Sequence, residues 1–121
     1  MELNKDQLHM LRHMLGINTP WDREPRPHRN YAAVNPGDEK FIELERLGAV
    51  ENRGRSSISE YDCYVCTEAG KRVAMQSHKD IRHSKAKRRY SKFLSLRDCC
   101  PDLTFHGFLT DKKFEEIRKD V

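Results

Sequence analysis

Between Lys71 and Lys92 the chain carries nine lysines and arginines against one acid, Asp80, a local charge of +8 in 22 residues. The other 99 residues hold fourteen basic and eighteen acidic side chains, so the net +4 is unevenly spread. Each such cation can neutralise a phosphate and release its counterion, or can face a carboxylate on a protein. Seven residues of this run, Lys79, Arg82, Lys85, Lys87, Arg88, Arg89 and Lys92, are spaced to line a polyanion. A solvated basic helix face would have the same composition. Arg53 and Arg55, near a Gly-Arg-Ser-Ser turn, form a smaller basic pair that could touch a groove or backbone, or could serve solubility alone.

Other residues have the types that bind metal but not the spacing. Cys63-Tyr64-Val65-Cys66 has knuckle spacing, yet it falls in an expected strand, where a separation of three sends the two thiols to opposite faces. Cys99 and Cys100 are vicinal, and neighbouring side chains rarely reach one ion. His9 and His13 lie one helical turn apart, opposite the leucine stripe, with no evident third ligand. No metal and no cofactor are expected. His78 and His83 flank the basic run and add charge below about pH 6.5. Trp21, the only tryptophan, either anchors its proline-rich segment to the core or offers a partner an exposed aromatic. There is no phosphate-cradling glycine loop, serine elbow or cysteine–histidine arrangement of catalytic type, so the chain is expected to bind rather than catalyse.

The bulk composition sets the frame for these residues. Apolar residues are 36% and charged residues 35% of 121, with a mean hydropathy of −0.90, which implies a modest core. No apolar run approaches the roughly 18 residues of a membrane span. The opening Met-Glu-Leu-Asn-Lys-Asp lacks a signal-peptide core, so a cytoplasmic chain with reduced cysteines is expected.

Periodicity then supplies the elements. Leu8, Leu11 and Leu15 stripe a helix over 3–15 that stops at Gly16. Residues 18–29 contain three prolines and read as an extended connection. Asn30 to Val34 suits a short strand, followed by an Asn-Pro-Gly-Asp turn in which Asp38 caps a second helix. That helix buries Phe41, Leu44 and Leu47, and Gly48 ends it. Ala49 to Arg53 and Glu60 to Cys66 form a hairpin with Gly54 to Ser57 at its tip. Thr67 caps a third helix. Residues 78–97 are expected to be one long basic helix, with Ala86, Tyr90, Phe93 and Leu94 packing on Phe105 and Phe108 or on a second chain. Lys85, Arg88, Arg89 and Lys92 would project from its other side. Short helices should start near Thr104 and Thr110.

Helix, strand, helix, two-stranded wing, helix is a winged-helix arrangement with one element altered. Arg29-Asn30-Tyr31, the run from Phe41 to Val50 ending in Leu-Gly-Ala-Val, and Thr67-Glu68-Ala69-Gly70-Lys71 together resemble a group of small uncharacterised bacteriophage-encoded proteins. The segment Lys87-x-x-Tyr90-x-x-Phe93-Leu94, followed by Asp102-Leu103-Thr104-Phe105-x-x-Phe108-Leu109, is similar to the C-terminal part of many of them. The resemblance implies phage origin, a host bacterial cytoplasm and a wing-bearing fold; it implies no activity.

The expectation is therefore an α+β chain, with a winged-helix-like domain at 1–76 and a basic helical extension at 77–121. One difference from a DNA reader is already visible. The helix before the wing, which would enter the major groove, carries Asp38, Glu39, Glu43 and Glu45 against Lys40 and Arg46. The leading function is an accessory protein contacting nucleic acid through Lys79, Arg82, Lys85, Arg88, Arg89 and Lys92 together with Arg53 and Arg55 of the wing. The alternative is an inhibitor or adaptor that binds an acidic host protein, for example in a defence complex. No membrane partner is expected, and a homodimer is one way to cover the aromatic stripe.

Overall fold

The computed structural model describes residues 1–55 and 57–121, and the architecture is α+β. The chain divides into two compact units, one made of Met1–Asn18 with Pro25–Asp80 and the other of Thr19–Glu24 with Ile81–Val121. The first is called the sheet unit below and the second the basic unit.

In the sheet unit, α1 (Lys5–Leu15) begins at Asn4, whose side chain accepts from the Gln7 amide while Gln7 returns the bond to Asn4. It ends at Gly16, with φ 74°. Leu11, Met14 and Leu15 face the core, and Leu8 is half-buried. β1 (Ala32–Val34) leads through the Asn35–Asp38 turn into α2 (Glu39–Arg46), where the Asp38 carboxylate accepts from the Lys40 and Phe41 amides. β2 (Val50–Arg55) and β3 (Asp62–Cys66) complete a three-stranded antiparallel sheet of order β1-β3-β2. Gly54 and Arg55 thus extend β2 past the expected strand end, through a register irregularity at Gly54, and Ser56 of the expected tip lies outside the described residues.

Alternation along β3 puts Tyr64 and Cys66 into the core with Phe41, Leu44, Ala49, Val50 and Ala74, while Cys63 and Val65 take the other face. The Asn30 side chain accepts from the Cys66 amide at 2.8 Å and so prolongs the β1–β3 ladder. α3 (Glu68–Ile81) is capped by Thr67, whose hydroxyl accepts from the Gly70 amide and donates to the Gly48 carbonyl at 2.6 Å. Gly70 sits against the Ala49 backbone so closely that a methyl there would collide with the carbonyl. Leu47-Gly48-Ala49 and Thr67 to Gly70 are therefore the joint between α2, the sheet and α3. Arg12, also buried, ties α1 to α3 by donating to Ser77 Oγ at 2.7 Å, and its Nε donates to Asn18. Burial lowers the Arg12 pKa and Asp80 partly offsets that.

The basic unit holds α4 (Lys85–Leu96), α5 (Phe105–Thr110), a 3-10 turn (Lys112–Phe114) and α6 (Glu115–Lys119). Its core is Phe93, Phe108 and Phe114, with Leu96, Leu103, Phe105, Leu109 and Ile117 around them. The short helices start near Thr104 and Thr110 as expected, capped by Thr104 and by Asp111. The continuous helix expected over 78–97 is corrected to two. Ser84 accepts from the Lys87 amide and starts α4 afresh, and the His83 amide is taken by the Pro20 carbonyl at 2.7 Å. The apolar stripe is also narrower than expected. Phe93 meets Phe105 and Phe108, and Tyr90 meets Phe105, but Ala86 and Leu94 stay exposed. Among the described residues, no helix is long and apolar enough to cross a membrane.

Candidate phosphate-binding groove

The net charge belongs to one unit. The basic unit holds twelve lysines and arginines against eight acids, whereas the sheet unit holds eleven of each. Of the cations singled out by sequence, Arg53, Arg55 and Lys79 lie in the sheet unit, and Arg82, Lys85, Arg88, Arg89 and Lys92 in the basic unit. Pairing separates them further. Arg53 lies 3.5 Å from Glu51, and Arg55 lies 3.9 Å from Asp62, so the hairpin arginines already have carboxylate neighbours. Lys79 is exposed on α3. Among the described residues, no carboxylate comes within 4 Å of Arg23, Arg82, Lys85, Arg88, Arg89, Lys92 or Arg118.

Helical spacing places Lys85, Arg88, Arg89 and Lys92 on one face of α4, at i, i+3, i+4 and i+7. Arg88 does not project into solvent as expected. It is 9% exposed and donates from a terminal nitrogen to the His83 carbonyl at 2.7 Å. The physical reason is the break before α4, which leaves the His83 carbonyl free for a side chain, together with the segment Thr19–Glu24 in the same unit. That segment is pinned by the His83–Pro20 bond, by Arg82 donating to the Arg23 carbonyl at 2.9 Å, and by Arg23 donating to the Lys119 carbonyl at 3.1 Å. Burial first, and then the like charges of Arg82 and Arg23, lower the Arg88 pKa, although a guanidinium stays protonated. The buried Nε atoms of Arg88 and Arg89 have no hydrogen-bond partner among the described residues.

Two open hollows meet along this face. One, of about 600 Å³, is lined by Arg23, Lys85, Arg88, Arg89, Arg118 and Lys119, with Glu115 as its acid. Glu115 is matched by Lys119 at 3.8 Å. The other, of about 520 Å³, shares Arg23 and Arg88 and adds Trp21, Ser91, Lys92, Ser95, Asp22 and Asp120. Arg118 is held in place by the Phe108 and Asp111 carbonyls at 2.6 and 2.7 Å. Sequence reasoning did not join Arg23, Arg118 or Lys119 to this face. They lie far from α4 along the chain, and no spacing rule joins them to it.

The remaining candidates differ in exposure. Cys66 is buried beside Met14, and burial pushes its thiol up to about 11, far from the thiolate that metal binding needs. Cys63 is half-buried on the opposite face of β3, Cys99 is exposed and Cys100 half-buried. His9 and His13 are exposed on α1. Trp21 is 52% exposed, so it presents one face to solvent and does not bury itself as an anchor. Trp21 is the third residue of the Thr19–Asp22 turn, with the Asp22 amide donating to the Thr19 carbonyl at 3.2 Å. No family model, no curated protein and no solved structure matches this chain, so the site is characterised by its own geometry.

Proposed function

We propose that this protein is a phage-type accessory protein that acts by binding, and that its basic unit grips the phosphates of a nucleic acid. The single observation that carries the reading is the groove of unpaired cations along α4, where Lys85, Arg88 and Arg89 converge with Arg23 and Arg118. Bringing like charges together costs folding energy unless a ligand offsets it, and a phosphate backbone supplies one anion per nucleotide. The sheet unit takes a different role in this reading. Its order β1-β3-β2, with α1 and α2 before the hairpin, supports a winged-helix-like scaffold in which residues 18–29 stand where a further helix would be. Its groove-entering helix would be α2, whose Glu39, Glu43 and Glu45 would repel phosphates. Major-groove reading is therefore not part of the proposal.

Anisotropy titrations with labelled DNA and RNA test it. Four phosphate contacts predict a log–log salt slope near −3.6 on duplex DNA (roughly −0.9 per contact) and about −2.8 on single strands. Reversing Arg88 and Arg89 to Glu should flatten the slope and weaken all sequences alike, while reversing Arg53 and Arg55 should leave it unchanged. Affinity no tighter than millimolar at low salt would leave the protein-binding inhibitor or adaptor as the surviving reading.

A further inference from the structure

The cationic hollow does not stand alone, and its neighbour differs in chemistry. Arg23 and Arg88 form a shared wall, with cations on one side and Trp21 with two serines on the other. The first side is the more basic; on the second, Asp22 and Asp120 offset part of the charge of Lys92 and the shared arginines, so a phosphate favours the first. A neutral group bearing N–H donors and a π face suits the second side. Carboxylate and serine oxygens can accept from it, and the exposed indole can stack on it. Trp21 is held ready for this by the Thr19–Asp22 turn, which is fixed at Pro20 and Arg23 by the bonds described above. A hollow of about 520 Å³ falls within the range of small-ligand sites, roughly 300–1,000 Å³.

We infer that the basic unit is a single-strand site, with an unpaired base stacked on Trp21 and its adjoining phosphate held between Arg23, Arg88 and the Lys85–Arg89 face. The inference rests on the nucleic-acid reading above and goes further, because a base in a duplex is already stacked and cannot cover an indole. Stacking on an aromatic tolerates any base, so strand state rather than sequence sets the preference.

The test uses the whole chain, a twelve-nucleotide oligothymidine, a duplex of the same length, and inorganic polyphosphate. Because Trp21 is the only tryptophan, its fluorescence reports this site alone. Oligothymidine should quench it saturably, polyphosphate should compete for the cations, and Trp21→Ala should weaken single-strand binding about tenfold or more while duplex binding barely changes. Trp21→Phe should recover most of the affinity, which separates stacking from any loss of folding. If single strands bind with the expected salt slope but leave the fluorescence and the Trp21→Ala affinity unchanged, the stacking site is wrong and the phosphate reading stands. If neither strand form binds, both fall.

Discussion

The two units carry the same surplus of charged side chains over a small core, but with different balances of cations and acids. In the sheet unit cations and acids are equal in number, and Arg46, Arg53, Arg55 and Lys71 each have a carboxylate within 4 Å. In the basic unit only Lys113 and Lys119 are so paired among the described residues, and Arg23, Lys85, Arg88, Arg89 and Arg118 line one hollow. Exposed pairs contribute little stability, typically below about 1 kcal/mol. The informative part is the unpaired set. Arg88 is buried near the like charges of Arg23 and Arg82, with no carboxylate within 4 Å among the described residues. The difference leaves a net positive charge on the basic unit and none on the sheet unit.

The contrast can be broken from the core outward. The largest effect should come from Phe108, fully buried among Phe93 and Phe114. Phe108→Ala should cost about 3–5 kcal/mol in urea unfolding, with segment-resolved hydrogen exchange showing the loss in 85–119. Next is Gly70→Ala. An exposed helix position would gain from alanine, but the Ala49 carbonyl blocks the methyl, so a loss of about 2–3 kcal/mol in the sheet unit is expected. A smaller effect, and the one that sharpens the comparison, is Arg88→Met. It removes one bond to the His83 carbonyl and relieves one buried unpaired charge. Ligand-free stability should change by less than about 1 kcal/mol, while stabilisation by polyphosphate, visible in the wild type as a raised melting temperature, should vanish. A drop as large as that of Phe108→Ala would mark Arg88 as purely structural.

A separate effect, confined to alkaline pH, is the pH dependence carried by Cys66. Its folded thiol ionises near 11, above the ordinary thiol range. The unfolded chain therefore loses this proton first as pH rises, and the folded state binds more protons in between. Its contribution to stability is complete below about pH 8.5 and is lost as pH climbs toward 11. Cys66→Ala should remove that part of the decline when urea midpoints at pH 8 and pH 10.5 are compared. Thiol labelling gives an independent reading: exposed Cys99 should react fast, and Cys66 only when the sheet unit opens.

Local signals were legible wherever one stretch of chain decides the outcome. Asp38 and Thr67 cap the helices they were expected to cap, and a helix starts at Thr104 as expected, because an N-cap needs only a side-chain oxygen and the next two or three amides. The alternation in β3 and the stripe of α1 followed directly from period. The break at Arg82 to Ser84 was written in Ser84, a good N-cap, but helix-forming residues on both sides hid it. What joined Ser84 to the break was the Pro20 carbonyl, more than sixty positions away.

By itself the sequence determined the α+β class, the element order of the sheet unit, and a basic charge concentrated on the α4 face. These depend on period, turn chemistry and composition, all of which act over a few residues. Tertiary structure alone decided which cations are free and which are spent on neighbours. It paired Arg53 and Arg55, buried Arg88, and brought Arg23, Arg118 and half-exposed Trp21 to the same groove. Charge acts through distance in space, and a chain that turns back on itself sets those distances only when it folds.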